Sequence, residues 1–486
     1  MTDAEREAAG IATPSYGIGS WLFVRALGWV LLAAFLSADA QLDGLIGEDG
    51  LFPAAFWLDD MRAQGAGFWS APSLAWLSAS NGALHAIAYL GIGASLLLIT
   101  GRYCVAALVA CFVAYLSIVN VGASFFSYQW DALLLETCLV AIPLSCARRR
   151  DRWRAGAGAT RYPAFARYAL YFLNWRLVFC SGVVKLGGPT WQDLSALDFH
   201  YWTQPLPGPL SWYVHQLPGG FHATCVVLVL IAELGLPWLL LFSGKPRRYA
   251  ALGLAVLQCV FIFTGNFGFF NFLAITLCLP AMDDAFFRTW LPGRFQSSAA
   301  QPRETHHRIR WRRGMAMALM ALALIPTSGT LFGWRRMPEA VGNLYVSLSP
   351  LRLVSSYGLF ARMTTVRDEF VYEGTVDGEN WLQYEFSAKP DRPDELPNQS
   401  APHLPRLDWG LWFAALGHPS YEPLVHELQA ALERAEPDVL ELLSRDPFRG
   451  RRPRAVRVRR VRQHFSTWSE HTSHDVYWMQ ENVLLE

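Results

Sequence analysis

The feature that most constrains this chain is a series of long apolar segments. A helix needs about 20 mostly apolar residues to cross the hydrocarbon layer of a bilayer. Nine segments approach or reach that length, at residues 20–38, 83–100, 103–121, 129–147, 165–186, 222–243, 249–264, 268–283 and 314–333. The sequence therefore predicts a multi-pass α-helical membrane bundle of about nine spans, over residues 20–334.

The seventh and eighth segments leave an alternative open. Both are short, and the polar and glycine-containing stretch 264–268 joins them. They are consistent with two spans, or with one span followed by a re-entrant piece.

The first segment also permits two interpretations. Residues 21–36 followed by Ala38-Asp39-Ala40 resemble a signal peptide with a cleavage site. A signal peptide carries positive charge in front of its apolar core, whereas Asp3, Glu5 and Glu7 precede this one. We therefore expect an uncleaved first span, preceded by a short cytoplasmic segment, 1–19.

Composition agrees with a membrane protein and argues against several other classes. Charged residues make up 17% of the chain, against about 25% in soluble domains. The formal net charge of +1 gives no reason to expect a nucleic-acid partner. The cysteines lie in or beside apolar segments without a CxxC pattern, so we expect neither a disulfide framework nor a metal site. No cofactor-binding motif is evident.

The basic residues of the connecting loops predict the orientation. Lysine and arginine gather in the loops after the fourth, sixth and eighth spans, at Arg148, Arg149, Arg150, Arg152, Arg154, Arg161, Lys245, Arg247, Arg248, Arg288, Arg294, Arg303, Arg308, Arg310, Arg312 and Arg313. The alternate loops, 39–82 and 187–221, contain only Arg62. Because positive loops stay in the cytoplasm, nine spans place the N-terminus inside and the C-terminal domain outside.

The last third of the chain, residues 335–486, reads as a soluble α+β domain. Residues 369–375 and 381–386 alternate in period 2 around the turn 376–380, which predicts a hairpin. A proline-rich connection at 390–405 precedes helical spacing at 408–417 and 421–445. Alternation returns at 455–463, so a small mixed domain is expected on the non-cytoplasmic side.

Ionisable and amide side chains within the spans are candidates for function, because they are costly at bilayer depth. They are Asp131, Glu136, Arg176, Lys185, Glu233, Gln258 and Asn271. Asp131 and Glu136 point about 140° apart on a helix, so they face different neighbours. We expect Glu136 to pair with Arg176, and Asp131 to meet Lys185 or the loop beyond it. Interhelical ion pairs that fix the packing remain the alternative to a working site.

The outer loop after the fifth span gathers polar and aromatic residues at the membrane surface. Its polar candidates are Asp198, His200, Tyr201, Gln204 and His215. His200 is suited to act as an acid, a base or a ligand. An interfacial aromatic belt stiffened by prolines is the simpler interpretation.

Several segments resemble signatures of the lipase maturation factor family. In the bundle they are 128–136 (YQWDALLLE), 176–186 (RLVFCSGVVKL), 200–213 (HYWTQPLPGPLSWY) and 264–271 (TGNFGFFN). In the soluble part they are 402–409 (PHLPRLDW), 412–416 (WFAAL) and 446–448 (DPF). The resemblance runs in order over residues 20–468. It weakens at 477–480 (YWMQ), where the family pattern has paired Trp and then Arg.

The resemblance implies a chaperone-like membrane protein of the secretory pathway, which assists the folding of exported proteins. The animal members act in the endoplasmic reticulum on dimeric lipases. The implied partners here are the lipid bilayer and exported clients, lipases among them. The Arg- and Ala-rich composition suggests a bacterial inner membrane with a periplasmic domain, or the endoplasmic reticulum if the source is eukaryotic. Within the matching motifs, Asn266, Asn271, Arg406, Asp408 and Trp409 become candidates, the last three as a working surface.

A shorter stretch supports a different hypothesis. Residues 182–186 (GVVKL), followed by a Trp, resemble the membrane region of vitamin K-dependent carboxylase-like proteins. That resemblance implies an integral membrane enzyme with Lys185 as base, assisted by His200 or Asp131. It predicts an enclosed polar cavity between the fourth and fifth spans, open toward the outer surface. A Lys185 side chain that extends to the interface without a cavity would exclude it.

Overall fold

The computed structural model of the protein describes residues 15–145, 163–290 and 306–483, with the backbone alone for 306–309. The expected cytoplasmic segment before residue 15 lies outside the described residues. So do the basic cluster 148–161 and the loop arginines Arg294 and Arg303. The positive-inside prediction therefore rests on the sequence for most of its charges.

The N-terminal two-thirds of the chain is a helical bundle. In chain order its α-helices are α1 (Gly17–Asp39), α2 (Leu42–Ile46), α3 (Ala54–Ala63), α4 (Asn81–Ile99), α5 (Cys104–Val121), α6 (Gln129–Ala141), α7 (Ala164–Lys185), α8 (Pro189–Gln192), α9 (Ala196–Thr203), α10 (Ser211–His215), α11 (Gly219–Leu239), α12 (Lys245–Thr264), α13 (Phe270–Cys278), α14 (Asp284–Trp290) and α15 (His306–Phe332). Each of the nine predicted spans overlaps one of these helices.

Among the described residues, six helices are long and apolar enough to cross a membrane. They are α1, α4, α5, α11, α12 and the Arg310–Phe332 part of α15. The pair α13 and α14 counts as a seventh if it is one broken span, since it bends by 111°. Helix α6 has only 13 residues, about 20 Å at 1.5 Å per residue, which is shorter than the hydrocarbon layer. A multi-pass membrane protein is therefore supported, while six or seven spans meet the criteria of length and composition.

Small residues allow the first bundle helices to approach each other closely. A Cβ atom at Gly91 of α4 would lie 2.2 Å from the ring of Phe35 on α1. A Cβ atom at Gly28 would lie 2.9 Å from Ile99 in the same helix pair. Because lipid tails are as apolar as leucine, close packing of this kind is a main source of helix association in membranes.

The C-terminal region combines helices with an antiparallel sheet. Its elements are α16 (Glu339–Leu348), β1 (Arg367–Thr375), β2 (Trp381–Gln383), β3 (Glu385–Phe386), α17 (Arg406–Ala415), α18 (Glu422–Arg434), α19 (Pro437–Leu440), β4 (Leu443–Arg445), β5 (Ala455–Phe465), α20 (Trp468–His474) and β6 (Trp478–Asn482). Four strands form a sheet in the order β2-β1-β5-β6, and β3 pairs with β4. The α+β prediction is confirmed.

The predicted hairpin is present. Thr375 pairs with Trp381 across the turn. The Asp377 carboxylate closes that turn, since its Oδ1 accepts from the backbone N–H groups of Glu379 at 2.9 Å and Asn380 at 2.8 Å. Asp and Gly in such turns supply the hydrogen bonds and the positive φ that the chain reversal needs.

Residues 352–363, which we call the return segment, lead from the last span back against the bundle. Tyr357 donates its hydroxyl to Glu136 Oε2 at 2.7 Å. The backbone N–H of Gly358 donates to Gln129 Oε1 at 3.1 Å. The return segment therefore packs on α6 and α7 before the chain enters β1.

Candidate functional site

The contact between the C-terminal region and the bundle centres on a buried ion pair. Arg406 donates to Asp131 through two nitrogens, with Nη2–Oδ1 at 2.7 Å and Nη1–Oδ2 at 3.1 Å. Tyr115 donates its hydroxyl to Asp131 Oδ1 at 2.6 Å, and Arg406 Nη1 also donates to the Phe125 carbonyl at 2.6 Å. The guanidinium lies 3.8 Å from the centroid of the Phe126 ring. Both charged side chains are thus enclosed and hydrogen-bonded, as buried ions require.

The chain just before Arg406 is held by the end of α1. Leu404 donates its backbone N–H to Ser37 Oγ at 3.0 Å, and its carbonyl accepts from Gln41 Nε2 at 3.0 Å. The Arg406 backbone N–H donates to Gln41 Oε1 at 2.8 Å. Side chains at the end of α1 and just beyond it thus satisfy backbone groups of the C-terminal region, so the two parts share one interface.

These contacts correct two of the sequence predictions. Asp131 meets neither Lys185 nor the outer loop, because Arg406 occupies its carboxylate. Arg406, Asp408 and Trp409 do not form an exposed surface, since all three are buried against the bundle or the sheet. A motif rich in charged and aromatic residues suggested exposure, whereas here it forms an interface.

Asp408 stabilises the fold of the C-terminal region. Its Oδ1 accepts from the backbone N–H groups of Ala388 at 2.7 Å and Lys389 at 2.8 Å. Burial raises the pKa of this carboxyl to about 6. Trp409 packs its ring 4.8 Å from that of Trp130 on α6, centroid to centroid.

The predicted pair of Glu136 and Arg176 is confirmed. Arg176 donates to the Glu136 carboxylate, and its Nε donates to Thr327 Oγ1 of the last span at 2.8 Å. The return segment completes the cluster, because the Ser355 backbone N–H and the Tyr357 hydroxyl both donate to Glu136 Oε2. The charges are matched and their hydrogen bonds are internal, which is how interhelical packing pairs are arranged.

A third ion pair joins Lys185 on α7 to Glu233 on α11. The lysine Nζ lies 2.8 Å from Glu233 Oε1 and 2.6 Å from Oε2. It also lies 5.3 Å from the centroid of the Trp191 ring. Lys185 is 3% exposed, so it does not extend to the interface. Sequence reasoning noted both residues and did not pair them.

A small cavity lies beside this pair. Its volume is about 60 Å³, and its polar lining includes Ser181, His200, Gln258 and Asn271. The predicted position between the fourth and fifth spans is wrong, since α7, α11, α12, α13 and the return segment line the cavity and α6 does not. Asn271 donates to Gln258 Oε1 at 2.8 Å, while its own Oδ1 is buried without a hydrogen-bond partner. That oxygen and the volume suit a few water molecules.

His200 is brought to this cavity, and the other outer-loop candidates are not. Burial and the Lys185 charge lower the pKa of His200 to about 4. Its ring packs edge-on against Phe360 at 5.4 Å between centroids. Tyr201 packs against His222 at 5.5 Å. Burial lowers the pKa of His215 to about 4, with the neighbouring His222 adding to the effect.

Gln204 and Asn266 hold the loop after α7, and Asn266 also connects it to the C-terminal region. Gln204 Nε2 donates to the Thr264 carbonyl at 2.6 Å. Asn266 Nδ2 donates to the carbonyls of Pro207 at 3.0 Å and Asn398 at 2.8 Å. Its Oδ1 accepts from Gln399 and from the next two backbone N–H groups. The Gln204 amide therefore joins this loop to the end of α12, and the Asn266 amide joins the loop to residues 398–401.

A cleft of about 710 Å³ lies between the bundle and the C-terminal region. We call it the aromatic cleft, because its lining includes Phe52, Tyr128, Trp130, Phe360, Trp409, Trp412, Phe413 and Tyr421. These rings come from four separate parts of the chain, at 52, 128–130, 360 and 409–421. No local sequence pattern marks such a convergence, although the aromatic density of the motifs at 128–130 and 409–413 is a signal for it.

Within the described ranges, no group of three or more His, Cys, Asp or Glu side chains is placed to hold a metal ion. The candidate site comprises three buried ion pairs, a small polar cavity and an aromatic cleft.

Two family models match the chain in succession. The lipase maturation factor transmembrane domain matches residues 18–289, and the lipase maturation factor C-terminal domain matches residues 353–484. Lipase maturation factor 1 of Mus musculus is 30% identical over 513 residues, which cover 99% of this chain and 88% of the mouse protein. Lipase maturation factor 2 of Xenopus laevis is 32% identical over 561 residues, which cover 91% of this chain and 78% of the frog protein. Human lipase maturation factor 1 is 30% identical over 506 residues, which cover 98% of this chain and 88% of the human protein. No solved structure matches.

Proposed function

The chain belongs to the lipase maturation factor family, and on that basis we propose that it is a membrane-anchored maturation factor that assists exported proteins, lipases among them. The observation that carries this proposal is the extent of the similarity. Both family domains match in order, and the mouse relative aligns with 99% of the chain. The relatives are named for the maturation of lipases, so a secreted lipase is the first client to test.

The geometry supports a function that needs both parts of the chain. Asp131 and Arg406 lie 275 positions apart and are fully enclosed where the two parts meet. Because a buried ion pair without its partner is strongly destabilising, the interface is expected to persist during function. The membrane bundle thus holds the soluble region in a fixed position at the membrane surface.

We further propose nine spans with the N-terminus in the cytoplasm. The loops after the fourth, sixth and eighth helical segments are basic, and the loops 39–82 and 187–221 contain a single arginine. Residues 335–486 then form the non-cytoplasmic domain, where exported clients fold. We propose the bacterial inner membrane, with this domain in the periplasm, on composition. The endoplasmic reticulum with a lumenal domain is the counterpart in a eukaryote, and the relatives compared above are vertebrate proteins.

The geometry around Lys185 favours this role over a carboxylase-like enzyme. A general base needs a free lone pair within reach of its substrate. The Lys185 amine instead contacts both oxygens of Glu233. The adjacent cavity of about 60 Å³ is far smaller than the 300–1,000 Å³ that ligand sites usually offer.

Co-expression with a secreted lipase tests the proposed function. Host cells without a lipase maturation factor of their own receive the lipase gene, with or without this chain. We expect the activity per milligram of secreted lipase to rise when the chain is present. An unchanged value, with the chain present in the membrane, would contradict the proposal.

Topology is tested separately with a cysteine variant. Ser473 lies on α20 of the soluble region and is exposed. A membrane-impermeant maleimide should label Ser473→Cys in intact spheroplasts as strongly as in lysed ones. Labelling only after lysis would place the domain in the cytoplasm and refute the proposed orientation.

A further inference from the structure

A groove lies where the chain leaves the last span, between the end of α15 and the start of α16. Its volume is about 280 Å³. Leu324, Ile325 and Phe332 of α15 form one wall, and Met337 and Val341 belong to the other. We call it the exit groove. Leu324 and Phe332 are eight positions apart, so the groove follows the helix for about 12 Å at 1.5 Å per residue.

A tight turn between the two helices fixes the shape of the exit groove. Gly333 has a φ of +89°, a conformation that glycine adopts without strain. A single turn of 3-10 helix, Trp334–Arg336, follows it. The Trp334 ring packs back on α15, because a Cβ atom at Gly329 would lie 2.5 Å from it. The same ring lies 5.0 Å from that of Tyr345 on α16, between centroids. The turn thus packs against both helices that border the groove.

Two arginines lie at the mouth of the exit groove. Arg336 lines it, and Arg335 directly precedes that residue. Both are exposed, and neither side chain has a hydrogen bond or an ion pair with any residue that the structure describes. Glu339, the nearest acidic residue along the chain, is exposed and forms no ion pair with them in the described ranges. An apolar groove therefore ends at two positive charges that lack an anion.

The exit groove lies at the edge of the bilayer. The last span ends at Phe332, and both Phe332 and Leu324 are exposed on its surface. Among the described residues no further span follows, so the groove opens on the side of the C-terminal region. In the proposed orientation that side is non-cytoplasmic, where lysine and arginine are sparse. The loops 39–82 and 187–221 contain a single arginine, so an adjacent pair at this position is an exception.

We propose that the exit groove binds one anionic phospholipid. Part of an acyl chain lies along Leu324, Ile325 and Phe332. The phosphate accepts hydrogen bonds from the guanidinium groups of Arg335 and Arg336, whose planar donors match phosphate oxygens. A lipid with a single negative charge is favoured over a zwitterionic one, because an ammonium group near two arginines would be repelled. This inference goes beyond the proposed maturation function and does not depend on it.

Photo-crosslinking of a lipid to the full-length protein tests the proposal. The protein is reconstituted in nanodiscs of phosphatidylcholine that contain a trace of phosphatidylglycerol with a diazirine on one acyl chain. Mass spectrometry of the peptides locates the cross-links. The same diazirine chain on phosphatidylcholine, at an equal mole fraction, measures contact with surrounding lipid. We expect residues 324–341 to be labelled about ten-fold more by the phosphatidylglycerol probe than by the phosphatidylcholine probe.

Replacement of the two arginines tests the recognition of phosphate. Arg335→Gln/Arg336→Gln should lower the labelling by the phosphatidylglycerol probe to the level of the phosphatidylcholine probe. Arg449→Gln/Arg451→Gln is the matched control. It also removes two exposed arginines that lack an ion pair within the described ranges, and they lie in a loop of the C-terminal region. Labelling in this control should stay within about two-fold of the wild type.

A bulky substitution tests the groove independently of charge. Ser328 lines the exit groove, so Ser328→Phe places a ring in the path of the acyl chain. Ala318→Phe places the same ring at an exposed position of α15 outside the groove. Labelling of residues 324–341 should fall about five-fold or more in Ser328→Phe and stay within about two-fold in Ala318→Phe. Only protein that elutes as a single folded species in gel filtration is compared.

Four results would overturn the proposal. They are the absence of cross-links within residues 324–341, equal labelling by the two probes, unchanged labelling in Arg335→Gln/Arg336→Gln, and unchanged labelling in Ser328→Phe. Equal labelling by the two probes would indicate surrounding lipid only. Oleate that displaces the probe as well as unlabelled phosphatidylglycerol does would also contradict it, because the phosphate would then not be recognised. If Ser328→Phe does not fold, the exposed arginine pair still decides the outcome.

Discussion

Arg406 of the C-terminal region and Asp131 of helix α6 form a bidentate ion pair, with nitrogen–oxygen distances of 2.7 and 3.1 Å. The residues are 275 positions apart, and each is almost completely shielded from solvent. The pair joins the two family domains of the chain, so its loss should destabilise both domains.

Arg406→Ala should destabilise the protein by about 3–5 kcal/mol, because it leaves the Asp131 charge buried without its partner. Thermal unfolding of the purified protein, followed by tryptophan fluorescence in a fixed detergent, measures the change. Arg392→Ala is the matched control, since Arg392 pairs with Asp394 on the exposed surface. It should leave the unfolding temperature unchanged. Equal effects of the two variants would show that the buried pair does not hold the domains together.

Replacement of the Lys185–Glu233 pair should distinguish a structural role of Lys185 from a catalytic one. Lys185→Met alone should cost about 3–5 kcal/mol, since it leaves Glu233 charged and unpaired among apolar helices. The double variant Lys185→Met/Glu233→Leu should recover most of that loss, because apolar residues of similar volume often replace a buried pair without cost. It should also retain lipase maturation activity. A double variant that is stable and inactive would point to chemistry at Lys185.

Asn266→Asp should weaken the contact between the loop after α7 and the C-terminal region. The substitution keeps the shape and removes the donor that the carbonyls of Pro207 and Asn398 share. The two carbonyl oxygens then face a carboxylate without a donor between them. We expect the free energy of unfolding to fall by about 2–4 kcal/mol. The temperature at which the C-terminal domain becomes sensitive to protease measures it. Asn343→Asp, at an exposed position of α16, is the control. A similar shift in both variants would contradict a docking role for Asn266.

His200 should make stability depend on pH. Its pKa of about 4 in the folded protein lies below the ordinary 6.5, so the folded state favours the neutral ring. The contribution of the neutral His200 ring to the free energy of unfolding is complete above about pH 6.5 and is lost as the pH falls toward 4. Relative to His200→Gln, the free energy of unfolding of the wild type should fall by about 3 kcal/mol between pH 6.5 and pH 4.

The control for this prediction is His426→Gln, at an exposed position of α18. Its unfolding temperature should follow that of the wild type from pH 7.5 to 4.5. A constant difference between wild type and His200→Gln over the same range would contradict a buried neutral His200.

Parts of this structure follow from local rules. The helix positions follow from apolar length, and the hairpin follows from the turn chemistry around Asp377 and Gly378. The Glu136–Arg176 pair was predictable because a charge inside an apolar span needs an opposite charge on a neighbouring helix.

The same reasoning fails where more than one partner is available. Lys185 had Asp131 and Glu233 as candidate anions, and the helix order around α7 decides between them. The partner of Asp131 lies in the other family domain, so no rule about spans points to Arg406. The motif at 402–409 looked like a surface because its charges and rings are typical of binding sites, whereas the fold uses them as an interface.

The return segment carries no sequence signal of its own. It has neither helical nor strand periodicity, and its role appears only when Tyr357 and Gly358 reach polar groups of α6. The aromatic cleft depends on that segment, since Phe360 lines one side of it. A site built from four distant parts of a chain therefore cannot be predicted from local sequence patterns.

The most direct test of a maturation factor whose two parts act as one unit is the activity per milligram of a secreted lipase, made in cells that lack their own maturation factor. The wild type and the double variant Lys185→Met/Glu233→Leu should raise that activity several-fold over cells without the chain. Arg406→Ala, expressed at an equal membrane level, should leave it near the baseline. No rise with the wild type, or a full rise with Arg406→Ala, would contradict this function or its dependence on the Asp131–Arg406 interface.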